Sequence, residues 1–92
     1  MDLSKLEKLF CELDLYLTGK NMPNKSPVEH IFKCDVYYLS DGGYSRVGYS
    51  ELTNKLFLTS ESRDEVKSKW NEPGSLELRV RIETLIFELL SE

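Results

Sequence analysis

The sequence predicts an α+β fold: a small three-stranded antiparallel β-meander with an N-terminal helix and two C-terminal helices. Three observations carry that prediction. Apolar residues recur at spacings of three and four near the start, the period shifts to two from His30, and a long tail has a helical apolar side. Ninety-two residues with 40% hydrophobic content are enough for one folded domain, 1–92, with a real core. A chain this short buries only about 60% or slightly more of its unfolded surface, so its stability margin is slender and dimerisation is an ordinary remedy.

Leu3, Leu6, Leu9, Phe10, Leu13, Tyr16 and Leu17 fall on one stripe of a helix over about residues 3–18. Ser4-Lys5-Leu6-Glu7 has the form of a capping box, Asp2 is an equally good cap, and Gly19 stands where the helix should stop. Residues 19–27 read as a loop, and Ser26-Pro27-Val28-Glu29 as the start of a short helix.

Beyond it, Phe32, Cys34, Val36 and Tyr38 alternate with Lys33, Asp35 and Tyr37, the pattern of a half-buried strand. Asp41-Gly42-Gly43 offers the positive φ angles of a tight reversal. Ser45, Val47 and Tyr49 then alternate with Tyr44, Arg46 and Gly48 in a second strand. Thr53-Asn54 marks the next turn and Lys55 to Thr59 a third strand.

Ser60 or Ser62 is placed to cap a short helix from Arg63 to Trp70, which Asn71-Glu72-Pro73-Gly74-Ser75 breaks. In the tail, Leu76, Leu78, Val80 and Ile82 alternate strictly with charged residues, as in a strand. A helical wheel instead groups Leu78, Ile82, Leu85, Ile86 and Leu89, with Leu76, Val80, Phe87 and Leu90 widening that side. The segment exceeds an ordinary strand in length, Ser75 can cap it, and Arg79–Glu83 is a favourable pair one turn apart, so the helix is preferred.

The chemistry available is sparse. His30 is the single histidine, and Cys11 and Cys34 are the only cysteines. His30 has a pKa suited to general-base work but no motif partner, and a surface or strand-edge histidine is the simpler account. Three candidate soft ligands do not close a four-coordinate zinc site without carboxylate help. Asp41-Gly42-Gly43-Tyr44-Ser45 lacks the glycine spacing and following helix of a phosphate-binding turn. No cofactor or metal is implied, and the protein is expected not to be an enzyme.

The longest apolar run is Leu85-Ile86-Phe87, far short of the roughly 20 residues a membrane span needs. The start Met1-Asp2-Leu3-Ser4 has no basic stretch leading into an apolar one, which predicts a cytoplasmic protein with reduced thiols.

Two surface features remain. Tyr37, Tyr38, Tyr44 and Tyr49 crowd the first hairpin beside Lys33 and Arg46, a combination able to stack single-stranded nucleic acid. Opposing it, 16 acids against 12 Lys and Arg give a net charge of −4, whereas nucleic-acid binders show a basic footprint. The acids do not form a block; they are distributed over ordered elements, with nine acids and six bases from residue 47 onward. For any one carboxylate, solubility is a sufficient account. Collectively, carboxylates one helical turn apart lie roughly 5–6 Å from each other, close to the spacing of neighbouring phosphates. Glu61, Asp64, Glu65, Glu72, Glu77 and Glu88 are the expected phosphate stand-ins, with Asp35, Asp41 and Glu51 as a second group.

Length, acidity and the opening Met1-Asp2-Leu3-Ser4-Lys5-Leu6-Glu7-Lys8 resemble the small anti-restriction endonuclease proteins of T4-type bacteriophages, the Arn-like DNA mimics. The resemblance is global and rests on no signature motif. It implies a homodimeric inhibitor that presents a DNA-like negative surface to the modification-dependent restriction enzyme McrBC in the host cytoplasm. The implied partner is a basic DNA-binding protein or nuclease, without direct nucleic-acid or membrane contact. An immunity protein for a cognate nuclease toxin has the same general look. From other classes, an RNA-binding module built on the tyrosine hairpin and a hydrolase stay open.

Overall fold

A computed structural model of the chain describes residues 3–20 and 36–91. The expected helix start at 26–29, together with His30, Cys34 and Asp35, lies outside the described residues.

Helix α1 (Ser4–Thr18) buries Leu6, Leu9, Phe10, Leu13 and Leu17, the stripe the spacing predicts. It ends on Gly19, whose φ of 71° lets its N–H reach Leu15 O at 2.8 Å. Its start differs from expectation. Leu3 is the N-cap and makes no side-chain cap bond, so Ser4 already lies inside the helix, and Asp2 falls outside the described residues.

The meander consists of β1 (Tyr37–Tyr38), β2 (Arg46–Ser50) and β3 (Lys55–Leu58), antiparallel and in that spatial order. Gly42 and Gly43 adopt φ angles of 88° and 80° in the first reversal, as the Asp-Gly-Gly sequence predicts. Asn54, at φ 55°, closes the second. Tyr37 pairs with Val47 and Tyr38 with Arg46, while Gly48 pairs with Phe57 and Tyr49 with Leu56. Val47, Tyr37 and Leu56 face the helices and Arg46, Tyr38 and Phe57 face away. The alternation set Tyr38 with the apolar residues of the first strand; in the structure Tyr37 is the buried member and Tyr38 the exposed one.

Helix α2 (Asp64–Trp70) anchors itself through Val66. Neither serine expected to cap it does so: Arg63 is the N-cap, without a side-chain bond. The Ser62 hydroxyl instead accepts the Arg46 N–H at 3.3 Å, which fastens the connection to β2.

Helix α3 (Pro73–Leu90) is continuous, so the helical pattern of the tail prevails over the alternating one. Pro73 opens it, its missing N–H being one of those a helix start leaves unpaired in any case. Ser75 is therefore not the cap but a buried first-turn residue whose hydroxyl accepts the Arg79 Nε–H at 3.2 Å.

Ile82, Ile86 and Leu89 bury against α1, completing a core with Phe10, Leu13, Leu39 and Val47. Phe10 meets the Tyr37 ring edge-on, centroids 6.4 Å apart. Leu76, Val80, Phe87 and Leu90 do not widen the buried side; they form a separate exposed row. Among the described residues no helix is long and apolar enough to cross a membrane.

Candidate functional site

The expected phosphate stand-ins sit in three different situations. At the head of α2, Glu61, Asp64 and Glu65 lie within five positions of each other, all exposed. Asp64 and Glu65 occupy the first helical turn, where unpaired N–H groups favour negative charge. The Glu61 carboxyl is held below its usual range by its own backbone N–H and then by Thr59, Arg46 and Ser60, with its slight burial acting the other way.

On α3, Glu77 and Glu88 are both exposed. Eleven residues amount to about three turns, which puts them on one face roughly 16 Å apart with Arg81 between. Glu88 borders a groove of about 270 Å³ between α1 and α3 that Lys5 and Arg81 also line.

The remaining members are tied up or apart. Glu72 accepts the Tyr16 hydroxyl at 2.6 Å and faces the Lys69 ammonium at 3.8 Å. Asp41 turns inward, its side chain 8% exposed. It accepts the Ser45 N–H at 3.1 Å and the Ser45 hydroxyl at 2.5 Å, with Arg63 Nε at 4.0 Å. Burial pushes this carboxyl up, but the Ser45 bonds and Arg63 outweigh it and leave it below its ordinary value. Glu51 stands exposed in the turn after β2, away from α2 and α3 in sequence, and Asp35 lies outside the described residues.

Asp14, one of the acids distributed over the ordered elements, does not belong to the surface. Asp14 is 1% exposed. Its carboxylate accepts the Tyr37 hydroxyl at 2.9 Å, the Ser40 N–H at 3.0 Å, the Ser40 hydroxyl at 2.6 Å and the Thr18 hydroxyl at 3.2 Å. The signal was present: Asp14 stands four residues after Phe10 and beside Leu13, within the apolar stripe. An acid there requires donors from elsewhere in the fold.

The tyrosine cluster is divided. Tyr37 is buried, and burial first, then Asp14, drives its phenol far above the usual value. Tyr49 packs against the core with its hydroxyl donating to Asn54 Oδ1 at 2.9 Å. Tyr38 and Tyr44 are exposed, with the Arg46 guanidinium 5.1 Å from the first ring and that of Arg63 4.5 Å from the second. Phe57 joins them on the outer sheet face, an aromatic the sequence argument had not placed there.

The half-buried Cys11 thiol is raised by burial and by Glu7 and Asp14, the opposite of what a nucleophilic cysteine needs. Among the described residues no three His, Cys, Asp or Glu side chains are grouped to hold a metal ion. No family model, no curated protein and no solved structure matches the chain.

Proposed function

We propose that this protein is a non-enzymatic acidic inhibitor. It occupies the positively lined DNA groove of a restriction endonuclease of the McrBC type, or of another nucleic-acid-binding protein, in the bacterial cytoplasm. The supporting observation is that Glu61, Asp64, Glu65, Glu77 and Glu88 are exposed, and none of the five makes an ion pair among the described residues. Four of these carboxylates, Asp64, Glu65, Glu77 and Glu88, are fixed on helices and approach a basic groove with little further ordering, and their field steers encounter from a distance. Asp41 and Glu72 are engaged within the fold and leave the contact set, so the proposed surface is narrower than the one expected from sequence.

The experiment is a cleavage assay with a McrBC-type endonuclease on modified duplex DNA. The wild-type protein should inhibit, with inhibition fading as salt rises. A variant carrying Glu61→Gln, Asp64→Asn, Glu65→Gln, Glu77→Gln and Glu88→Gln should lose at least about tenfold in potency while folding normally. Undiminished cleavage with the wild type, or equal inhibition by the variant, defeats the proposal.

A further inference from the structure

The sheet has two faces, and the helices cover one. On the other, Tyr38 on β1, Arg46 and Gly48 on β2, and Lys55 and Phe57 on β3 follow each other in register. Tyr38 and Phe57 are each 44% exposed, high for aromatic rings on a strand. The Phe57 ring lies across Gly48, where a Cβ would come within 2.4 Å of its tip, so the missing side chain permits its position. From strand spacing and rise, the two aromatic positions stand roughly 12 Å apart across the sheet. Arg46 stacks over Tyr38, and its Nε–H is buried without an acceptor. Next to this face, Tyr44, 61% exposed, carries Arg63 over its ring.

From this we infer that the outer sheet face is a stacking site for single-stranded nucleic acid. The geometry assigns one base to the Phe57 ring and another to the Tyr38–Arg46 stack, with backbone phosphates taken by Arg46, Lys55 and Arg63. Exposed rings on a sheet accept unstacked bases of any sequence, and guanidinium planes extend the stack while supplying countercharge. Local charge supports a polyanion in spite of the net −4: Arg46 and Lys55 are the charged residues among these strand positions, and Glu61 borders Arg46 at the margin. Duplex DNA, with its bases already stacked, offers these rings nothing. Unlike the inhibitor proposed above, this face takes nucleic acid directly.

Fluorescence anisotropy with labelled oligo-dT and oligo-U of about twelve nucleotides, against a duplex of equal length, tests the inference. Binding should favour the single strands and weaken between about 50 and about 200 mM salt. Phe57→Leu and Tyr38→Leu should each reduce affinity by roughly five- to a hundred-fold with the thermal transition retained, and Glu61→Gln should increase it. The five-fold acid variant described above, which includes Glu61→Gln, should bind oligonucleotides at least as tightly as the wild type while losing inhibition, which separates failure of this inference from failure of the inhibitor proposal. No anisotropy change up to about 1 mM protein, equal affinity for duplex, or wild-type binding by both leucine variants overturns it.

Discussion

The Asp14 carboxylate on α1 accepts the Tyr37 hydroxyl on β1 at 2.9 Å, joining two elements 23 positions apart through buried side chains. Ser40 adds two further donors to the same carboxylate. This acid therefore holds the N-terminal helix to the first reversal of the sheet. Replacing it with alanine leaves a phenol, a hydroxyl and an amide unanswered in the interior. Asp14→Ala should cost about 3 kcal/mol or more. For a domain of this size that lowers the melting temperature by more than about 12 °C. Asp14→Asn keeps one acceptor and should cost less. A melting temperature for the alanine variant within a few degrees of wild type would refute the assignment.

The core and the exposed leucines should respond differently to truncation. Ile86 is fully buried between α1 and α3, whereas Leu52 in the second turn is 98% exposed. Ile86→Ala should destabilise by about 2–5 kcal/mol, combining lost burial with a residual cavity. Leu52→Ala should stay within about 0.5 kcal/mol of wild type. Urea denaturation of both variants checks the contrast.

Strand β3 lies at the edge of the sheet, and its Leu56 N–H donates to Glu83 Oε2 of α3 at 2.8 Å. A carboxylate placed there occupies a backbone donor that another strand would otherwise recruit. In Glu83→Ala, hydrogen exchange at the Leu56 amide should accelerate by about tenfold or more. Unchanged protection at that amide would show that the edge is guarded by something other than Glu83.

Acid should weaken the first reversal in a defined direction. The Asp41 carboxyl sits below its ordinary value of 3.8 in the folded protein, so its ionised form stabilises the fold. That contribution is complete above the unfolded value and disappears as pH falls through the folded one. The stability difference between wild type and Asp41→Asn should thus be constant from neutrality to about pH 5 and shrink below about pH 4. Denaturant melts across that range measure it, and a difference that grew on acidification would contradict the geometry.

The architecture was legible in the sequence because its main signals are periodic: the α1 stripe, the two turn sequences and the wheel of the last helix. Cap positions were less so: Ser62 finds a tertiary partner in the Arg46 amide, and Ser75, placed inside the helix by the earlier start at Pro73, receives Arg79 one turn along. Burial of Tyr37 over Tyr38 depends in the same way on Asp14, which lies on another element. The acidic set was legible as composition but not as surface. Asp41 and Glu72 are engaged by Ser45 and Tyr16, and no spacing rule reveals those bonds. Phe57 escaped notice because the position of its ring, laid across Gly48, depends on the pairing of neighbouring strands.

Trp70 is the chain's sole tryptophan, and the Arg79 guanidinium lies 4.1 Å from its ring centroid while also donating to its carbonyl at 2.8 Å. The indole is consequently a native optical reporter of the corner joining α2 to α3. Its emission will shift when that corner loosens, and Trp70 also lines a groove together with Phe57. Intrinsic fluorescence therefore reports, without any label, on the seam where the last two helices meet the edge strand.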